Sequence, residues 1–200
     1  TQYGITTFIA QFRDMYSNIR FNLEEIDGLN ILPALDERRF DLAFTRHNYL
    51  NHNQYASFEI YKDKLLVVVS KRSRHANRSS ISLKELSTDN FIVFDKVTEL
   101  HKLVMDECGK AGFDPTIFYS SHQKVSVFGM VGTNIGLALM PVKIYEYHRH
   151  PDVLAIPLDE DIECNIVLVY LKNRQLPKAA GVFLDFMKQA AENGKPSVIS

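Results

Sequence analysis

Residues 91–141 read FIVFDKVTELHKLVMDECGKAGFDPTIFYSSHQKVSVFGMVGTNIGLALMP, and the punctuation of this stretch decides the fold. Phe91 to Phe94 is a compact apolar run of strand length. Leu100, Leu103, Val104, Cys108 and Ala111 then recur at the spacing of one helical face, and Gly112 stands where a left-handed residue would stop that helix. Ile117 to Tyr119 is a second strand. Ser121 or His122 leads into a helix carrying Val125, Phe128 and Val131, closed by Gly132. Gly136 to Met140 is a third strand, ended by Pro141. Strand, helix, strand, helix, strand is the pattern of a parallel sheet wrapped by crossover helices.

Two longer apolar runs bracket this block, Leu65 to Ser70 and Cys164 to Leu171, both suited to strands buried on two faces. The chain would leave one domain by the first and return by the second, which makes a two-lobed protein with a double hinge. After Ser70 the composition changes abruptly to Lys71, Arg72, Arg74, His75, Asn77, Arg78, Ser79 and Ser80, so the boundary is expected there. The predicted organisation is 1–70 plus 172–200 as one subdomain and 71–171 as the other. A ligand cleft is expected where the carboxyl ends of the strands face each other, the usual place in open α/β sheets.

On the N-terminal side, Ile5, Phe8, Ile9, Phe12 and Tyr16 mark one face of an opening helix. Arg20 to Ile26 alternates Phe21 and Leu23 with Asn22 and Glu24, the period of a half-buried strand, and Asp27 and Gly28 end it as a turn. Asn30 is a candidate N-cap for a short helix with Leu32 and Leu35 inward and Pro33 in its first turn. Phe40 to Thr45 and Phe58 to Tyr61 read as strands. Ser82 to Leu86 resembles a short helix, Val153 to Ile156 a strand, and Ala180, Phe183, Leu184, Met187 and Ala191 a final helix.

Hydrophobic residues make up 46% of the 200 and charged residues 24%, ordinary globular values that exclude a disordered, collagen-like or coiled-coil chain. A chain of this length buries about 70% of its unfolded surface and needs no staples. With 23 basic against 24 acidic residues there is no overall positive field to hold a nucleic acid. No apolar run is long enough to cross a bilayer and no signal-peptide pattern opens the sequence, so the cytoplasm is the expected compartment. Cys108 and Cys164 lie far apart and outside any C-x-x-C pair, and read as small buried hydrophobes.

The scan for catalytic motifs finds no G-x-S-x-G elbow, P-loop, H-E-x-x-H or G-x-G-x-x-G. Gly129, Gly132 and Gly136 have the wrong spacing for a phosphate loop and read as a helix stop and turn. His148 and His150 flank Arg149 without a third ligand nearby, the reading of a solvated helix end. Asp159, Glu160, Asp161 and Glu163 lack the glycine and terminal glutamate of a calcium loop. The basic stretch Lys71 to Arg78 has no aromatic platforms and reads as a solvated loop. No metal, cofactor or catalytic residue is expected.

Four stretches resemble the effector-binding domain of LysR-type transcriptional regulators. Phe12 to Ile26 (FRDMYSNIRFNLEEI) and Leu35 to Phe44 (LDERRFDLAF) are similar to its start. Val131 to Pro141 (VGTNIGLALMP) resembles "V..G.GialvP", and Leu176 to Phe186 (LPKAAGVFLDF) the closing "lsp.a..Fl.fl". Together they span essentially the whole chain, in the family's order and spacing. Ser17 replaces the family's usual proline, and Arg38 stands where glycine is common. The resemblance implies an α/β, two-lobed, periplasmic-binding-protein-like (type 2) fold, each lobe a mostly parallel sheet flanked by helices and joined by two hinge strands. It implies a strand ahead of the first helix and an N-terminal winged helix-turn-helix that binds DNA; neither is matched within the numbered sequence, which is expected to omit them. It also implies a homodimer pairing the first helix head to tail with the 100–111 helix, and a tetramer at full length.

Candidate effector-binding positions are those at strand carboxyl ends and helix N-termini, where N–H groups and the positive dipole end hold small anions. Thr1, Gln2 and Tyr3 open the first helix. Gly28 and Leu29 follow the Arg20 to Ile26 segment, and Thr45 and Arg46 end the strand DLAFT, where an arginine can pair a carboxylate bidentately. Phe94, Thr98 and Glu99 lie at the next strand-to-helix junction, Ser121 and His122 at the one after. Each is equally readable as an ordinary cap or turn. Glu99 would repel an anion, which points to a cationic or polar group on the effector or to a side chain facing water. The expected function is a small-molecule sensor that reports to a promoter. A transporter's solute receptor and an enzyme such as a deaminase or dehydratase share the bilobal architecture; the first lacks a leader here and the second a reactive pair.

Overall fold

The structure, a computed structural model, describes residues 3–192. In chain order its elements are α1 (Ile5–Met15), α2 (Gly28–Asp36), β1 (Ala43–Arg46), β2 (Tyr55–Tyr61), β3 (Leu65–Ser70), β4 (Asn90–Phe94), α3 (Glu99–Lys110), β5 (Thr116–Ser121), α4 (Lys124–Gly132), β6 (Ala138–Pro141), α5 (Val142–His148), β7 (Val153–Pro157), β8 (Ile166–Leu171) and α6 (Lys178–Glu192). Short 3-10 turns occupy His47–Tyr49 and Leu83–Leu86. The chain divides into two compact units, Thr1–Lys62 with Asn165–Ser200, and Asp63–Cys164. No helix among the described residues is long and apolar enough to cross a membrane.

In the first unit β8 is the central strand of an antiparallel sheet ordered β1-β8-β2. Leu168 and Val169, both fully buried, face opposite sides of that sheet. Leu168 joins Phe8, Ile60, Leu184 and Met187 in one cluster, whereas Val169 joins Leu35 and Tyr55 in another. Two faces with helices on each explain why β8 reads as a continuous apolar run. Phe12 docks α1 on α6, its ring 4.9 Å from Phe183 and 5.4 Å from Phe186.

In the second unit β3, buried at every residue, is the centre of an antiparallel sheet ordered β6-β3-β7. β4 and β5 pair in parallel, and a parallel bridge from Phe91 to Leu137 ties β4 to the residues that lead into β6. The β-α-β-α-β reading of residues 91–141 is thus realised. α3 contributes Leu100, Leu103, Val104 and Cys108 to the core, and α4 contributes Val127, Phe128 and Val131. Gly112, at φ 89, accepts the left-handed turn after α3, as its position predicts. After α4 that role falls to Asn134, at φ 68, rather than to Gly132, which is the last helical residue.

Three expectations are corrected. The parallel order is confined to β4, β5 and isolated bridges, whereas the pairings made by β3 and β8 are antiparallel. Strands covered on both faces have no alternation, so their sequence carries no sign of partner direction. The division between units falls at Lys62/Asp63 and Cys164/Asn165 rather than at 70 and 171. Ladder partners decide this, because β3 pairs with β6 and β7, and β8 with β1 and β2. The polar stretch after Ser70 is a loop pinned to its own unit: Arg72 donates to the carbonyls of Gly132 and Thr133, Arg74 pairs with Asp89, and Arg78 with Glu85. Finally, residues 20–26 form no strand; Phe21 and Leu23 are 41% and 60% exposed on an irregular segment without ladder partners among the described residues.

Candidate functional site

The register Phe94↔Ser121 brings the carboxyl ends of β4 and β5 to one edge of their sheet, and each strand feeds a helix there. Thr98 is the N-cap of α3. Its Oγ1 accepts from the His101 N–H at 3.1 Å and donates to the Asp95 carbonyl at 2.7 Å, which fixes the turn. His101 Nδ1 lies 2.9 Å from the Phe94 carbonyl, so that nitrogen carries the hydrogen. Glu99, only 8% exposed, occupies the first helical position, where the dipole favours an acid. Ser121 Oγ accepts from the Gln123 N–H at 3.0 Å at the entry to α4. His122 is exposed, with Nδ1 3.7 Å from Asp95 Oδ2, a weak pair at most. The Phe94 ring lies in the core, so the part of Phe94 at this edge is its carbonyl.

The corresponding edge of the first unit is built at the end of β1. Thr45 and Arg46 are both buried, and Arg46 Nη2 donates to the Tyr3 hydroxyl at 3.2 Å. The Tyr3 ring lies 5.8 Å from the guanidinium carbon and 5.9 Å from the Tyr61 ring. Gly28 and Leu29 begin α2, which packs against β1; its N-cap residue Asp27 makes no side-chain cap bond. Thr1 and Gln2 lie outside the described residues. Within its unit the structure therefore brings Tyr3 to Arg46, and Phe94, Thr98, Glu99, Ser121 and His122 to one sheet edge.

Sequence reasoning missed a polar group where the chain re-enters the first unit. Asn165 is buried; its N–H donates to His47 Nδ1 and its carbonyl accepts from the His47 N–H, both at 3.1 Å, while Nδ2 donates to Glu59 Oε2 at 3.0 Å. One signal was visible, an amide inside an otherwise apolar run. Tyr61 was read only as a strand end, and nothing in its neighbours marks it as the ring that backs Tyr3.

The remaining clusters have structural partners. Glu160 accepts from Ser82 Oγ and the Leu83 N–H, and Asp161 pairs with Lys64 at 3.1 Å. Among the described residues no group of three or more histidines, cysteines or acids is placed to hold a metal. Both cysteines are buried, and burial pushes the Cys108 thiol up to about 12, which removes the thiolate needed for redox or nucleophilic chemistry.

These features define a two-unit α/β protein whose strand ends and helix starts carry polar groups. The chain belongs to the LysR substrate binding domain family, whose match runs over residues 1–192. It is 32% identical over 181 residues to YwbI, an uncharacterized HTH-type transcriptional regulator of Bacillus subtilis (strain 168), covering 90% of this chain and 60% of that protein. It is 23% identical over 186 residues to the transcriptional dual regulator GltC of the same organism, covering 92% of this chain and 62% of that protein. The chain thus spans about three fifths of these relatives' length. Among solved structures, the Synechocystis PCC6803 CcmR regulatory domain in complex with 2-PG is similar at TM-score 0.84 and 15% identity, covering 96% of this chain and 93% of that one. The effector binding domain of QuiR in complex with shikimate is similar at TM-score 0.79 and 21% identity, with coverage of 96% and 92%. The BenM effector binding domain with benzoate follows at TM-score 0.78 and 18% identity, with coverage of 97% and 90%. The fold is accordingly the two-lobed, periplasmic-binding-protein-like one, and the relatives favour the regulator over the transport receptor.

Proposed function

We propose that this chain is the effector-sensing and dimerisation domain of a LysR-type transcriptional regulator and that it binds a small molecule. The match to the LysR substrate binding domain over 1–192 carries this reading. The ligand-bound neighbours support a small organic ligand, since their complexes hold shikimate, 2-PG and benzoate. The contacts assigned are Thr1, Gln2, Tyr3, Gly28, Leu29, Thr45 and Arg46 from the first unit, and Phe94, Thr98, Glu99, Ser121 and His122 from the second. Ligand affinity that differs between two conformations of the domain is the source of the switch. DNA is contacted by a helix-turn-helix domain elsewhere in the regulator, in the cytoplasm, and the effector leaves unchanged because the site works by binding and not by turnover.

The dimer is assigned to α1 and α3, with a tetramer at full length. Exposed apolar side chains support a covered face on α1 and beyond it, at Met15, Phe21 and Leu23. The apolar stripe of α3 is taken up by its own core, so the interface on that helix uses its other face.

A thermal-shift panel of carboxylates, amino acids, sugar phosphates, aromatics and inorganic anions tests the sensor. A ligand at a hundred times its Kd adds about 2.7 kcal/mol, or roughly 5–10 °C for a chain of this size. One clear shift without consumption of the compound supports the reading. A flat panel from a chain that melts cooperatively counts against it, and steady turnover replaces it with an enzyme.

A further inference from the structure

We propose that His47 is a proton-sensitive latch on the residue by which the chain re-enters the first unit: its neutral ring holds the Asn165 N–H, and a proton on that ring releases it. Asn165 is buried and stands one residue before β8, whose ladders with its two neighbours end at the pairs Arg46↔Ile166 and Tyr61↔Ile166. One step further, an antiparallel pair would exchange two backbone bonds, each N–H to the other residue's carbonyl. One of the two is made. The His47 N–H donates to the Asn165 carbonyl at 3.1 Å, but the His47 carbonyl is turned to the Leu50 N–H, at 3.3 Å, closing the 3-10 turn His47–Tyr49. The ring stands in for that carbonyl, and Nδ1 accepts from the Asn165 N–H at 3.1 Å.

A ring nitrogen that accepts carries no hydrogen, so the bond requires the neutral ring with its hydrogen on Nε2. A second proton enters at Nδ1, the atom that holds Asn165, and a buried N–H left without an acceptor loses its hydration uncompensated. Histidine is the side chain that makes this exchange in mild acid. The charged groups on β1, on β2 and in the two residues after β2 are turned elsewhere. Arg46 donates to the Tyr3 hydroxyl, Glu59 accepts from Asn165 Nδ2 at 3.0 Å, Lys62 is exposed, and the Asp63 carboxylate accepts from the Lys64 N–H. β8 itself has no charged residue. Glu59 keeps the Asn165 side chain in place whether or not the ring is charged, so acid frees the backbone at this residue and leaves the rest of β8 in its ladders.

The test follows two NMR signals of the purified chain from pH 7.5 to 5.0, the His47 ring nitrogens and the hydrogen-exchange protection of the Asn165 amide, corrected for the intrinsic pH dependence of exchange. At pH 7.5 the ring should be the Nε2–H tautomer. On acidification the Asn165 protection should fall roughly fivefold to tenfold in step with proton uptake by the ring, while Leu168 and Val169, in the middle of β8, keep theirs. His47→Asn places an amide oxygen where Nδ1 stands and takes up no proton, so it should keep the protection and lose the acid step. His47→Ala should lack the protection at every pH; should that variant fail to fold, the wild-type titration and the asparagine variant still decide. An Nδ1–H ring at pH 7.5, or Asn165 protection that does not follow the ring, overturns the latch. So does an acid step that persists in His47→Asn, or one shared by Leu168 and Val169, since the release would then belong to another group or to unfolding of the whole unit.

Discussion

Arg38 shows how a single residue departs from what its turn prefers. It follows α2 at φ 60, a left-handed conformation in which any side chain beyond glycine meets its own backbone, at about 1–2 kcal/mol. The sequence marked the position as one where the resembling family commonly has glycine. Arg38→Gly is expected to raise Tm by roughly 2–4 °C, and an unchanged or lower melting point in a thermal scan would show that the side chain is held by something else. His148 gives a pH signature. Its imidazole packs beside Phe128, and burial first, then the charge of Lys124, lowers its pKa from the ordinary histidine value. The folded chain therefore binds fewer protons here than the unfolded chain between the lowered value and the ordinary one, so stability rises with pH through that window. Tm should be flat with respect to this group above about pH 7 and fall as the solution is acidified. His148→Gln should flatten part of that acid slope, as measured by thermal scans from pH 7.5 to 5.0.

At the level of elements, the decisive contacts join segments whose local sequence is silent about them. Gly136 is the example. A Cβ there would sit 2.6 Å from the Asn90 carbonyl oxygen, at the point where the Leu137 N–H donates to that oxygen and β4 is bridged to the lead into β6. Gly136→Ala should destabilise by about 1–3 kcal/mol, read as a lower urea midpoint, because backbone rather than a flexible side chain must yield. Wild-type stability in that variant would mean that β4 shifts without cost. The helical stripes of α1 and α3 were legible because one face of each is apolar at a period the core requires, whereas on α4 the reading took Val125, which is 72% exposed, and missed Val127, which is buried beside Phe128 and Val131. The segment 20–26 was misread for the complementary reason. Alternation says which side chains share a face, but a strand exists only where a neighbour completes its hydrogen bonds, and among the described residues none does so. Thr98 was visible as a cap. The Asn165–His47–Glu59 group was not, because its three members lie more than a hundred residues apart in part, and only pairing β1 and β2 with β8 collects them.

For the whole molecule, the proposed dimer places α1 at a subunit interface. Phe8 and Phe12 turn inward, whereas Ile9 is half-buried and Met15 lies exposed. Ile9→Glu should therefore lower the dimer fraction in sedimentation velocity while leaving the melting transition cooperative; association equal to wild type would reject α1 as the interface. The amino-acid order by itself determined the α/β class and the two long apolar strands, and its motifs resembled those of a family of effector-binding domains. Those properties follow from periodicity and from residues close in sequence, which local chemistry records. Where the units divide, how strands run beside β3 and β8, and which tyrosine holds Arg46 were decided only by tertiary structure. A strand buried on both faces looks the same whichever neighbour it takes, and a buried charge finds its partner by proximity in space, which no spacing along the chain announces.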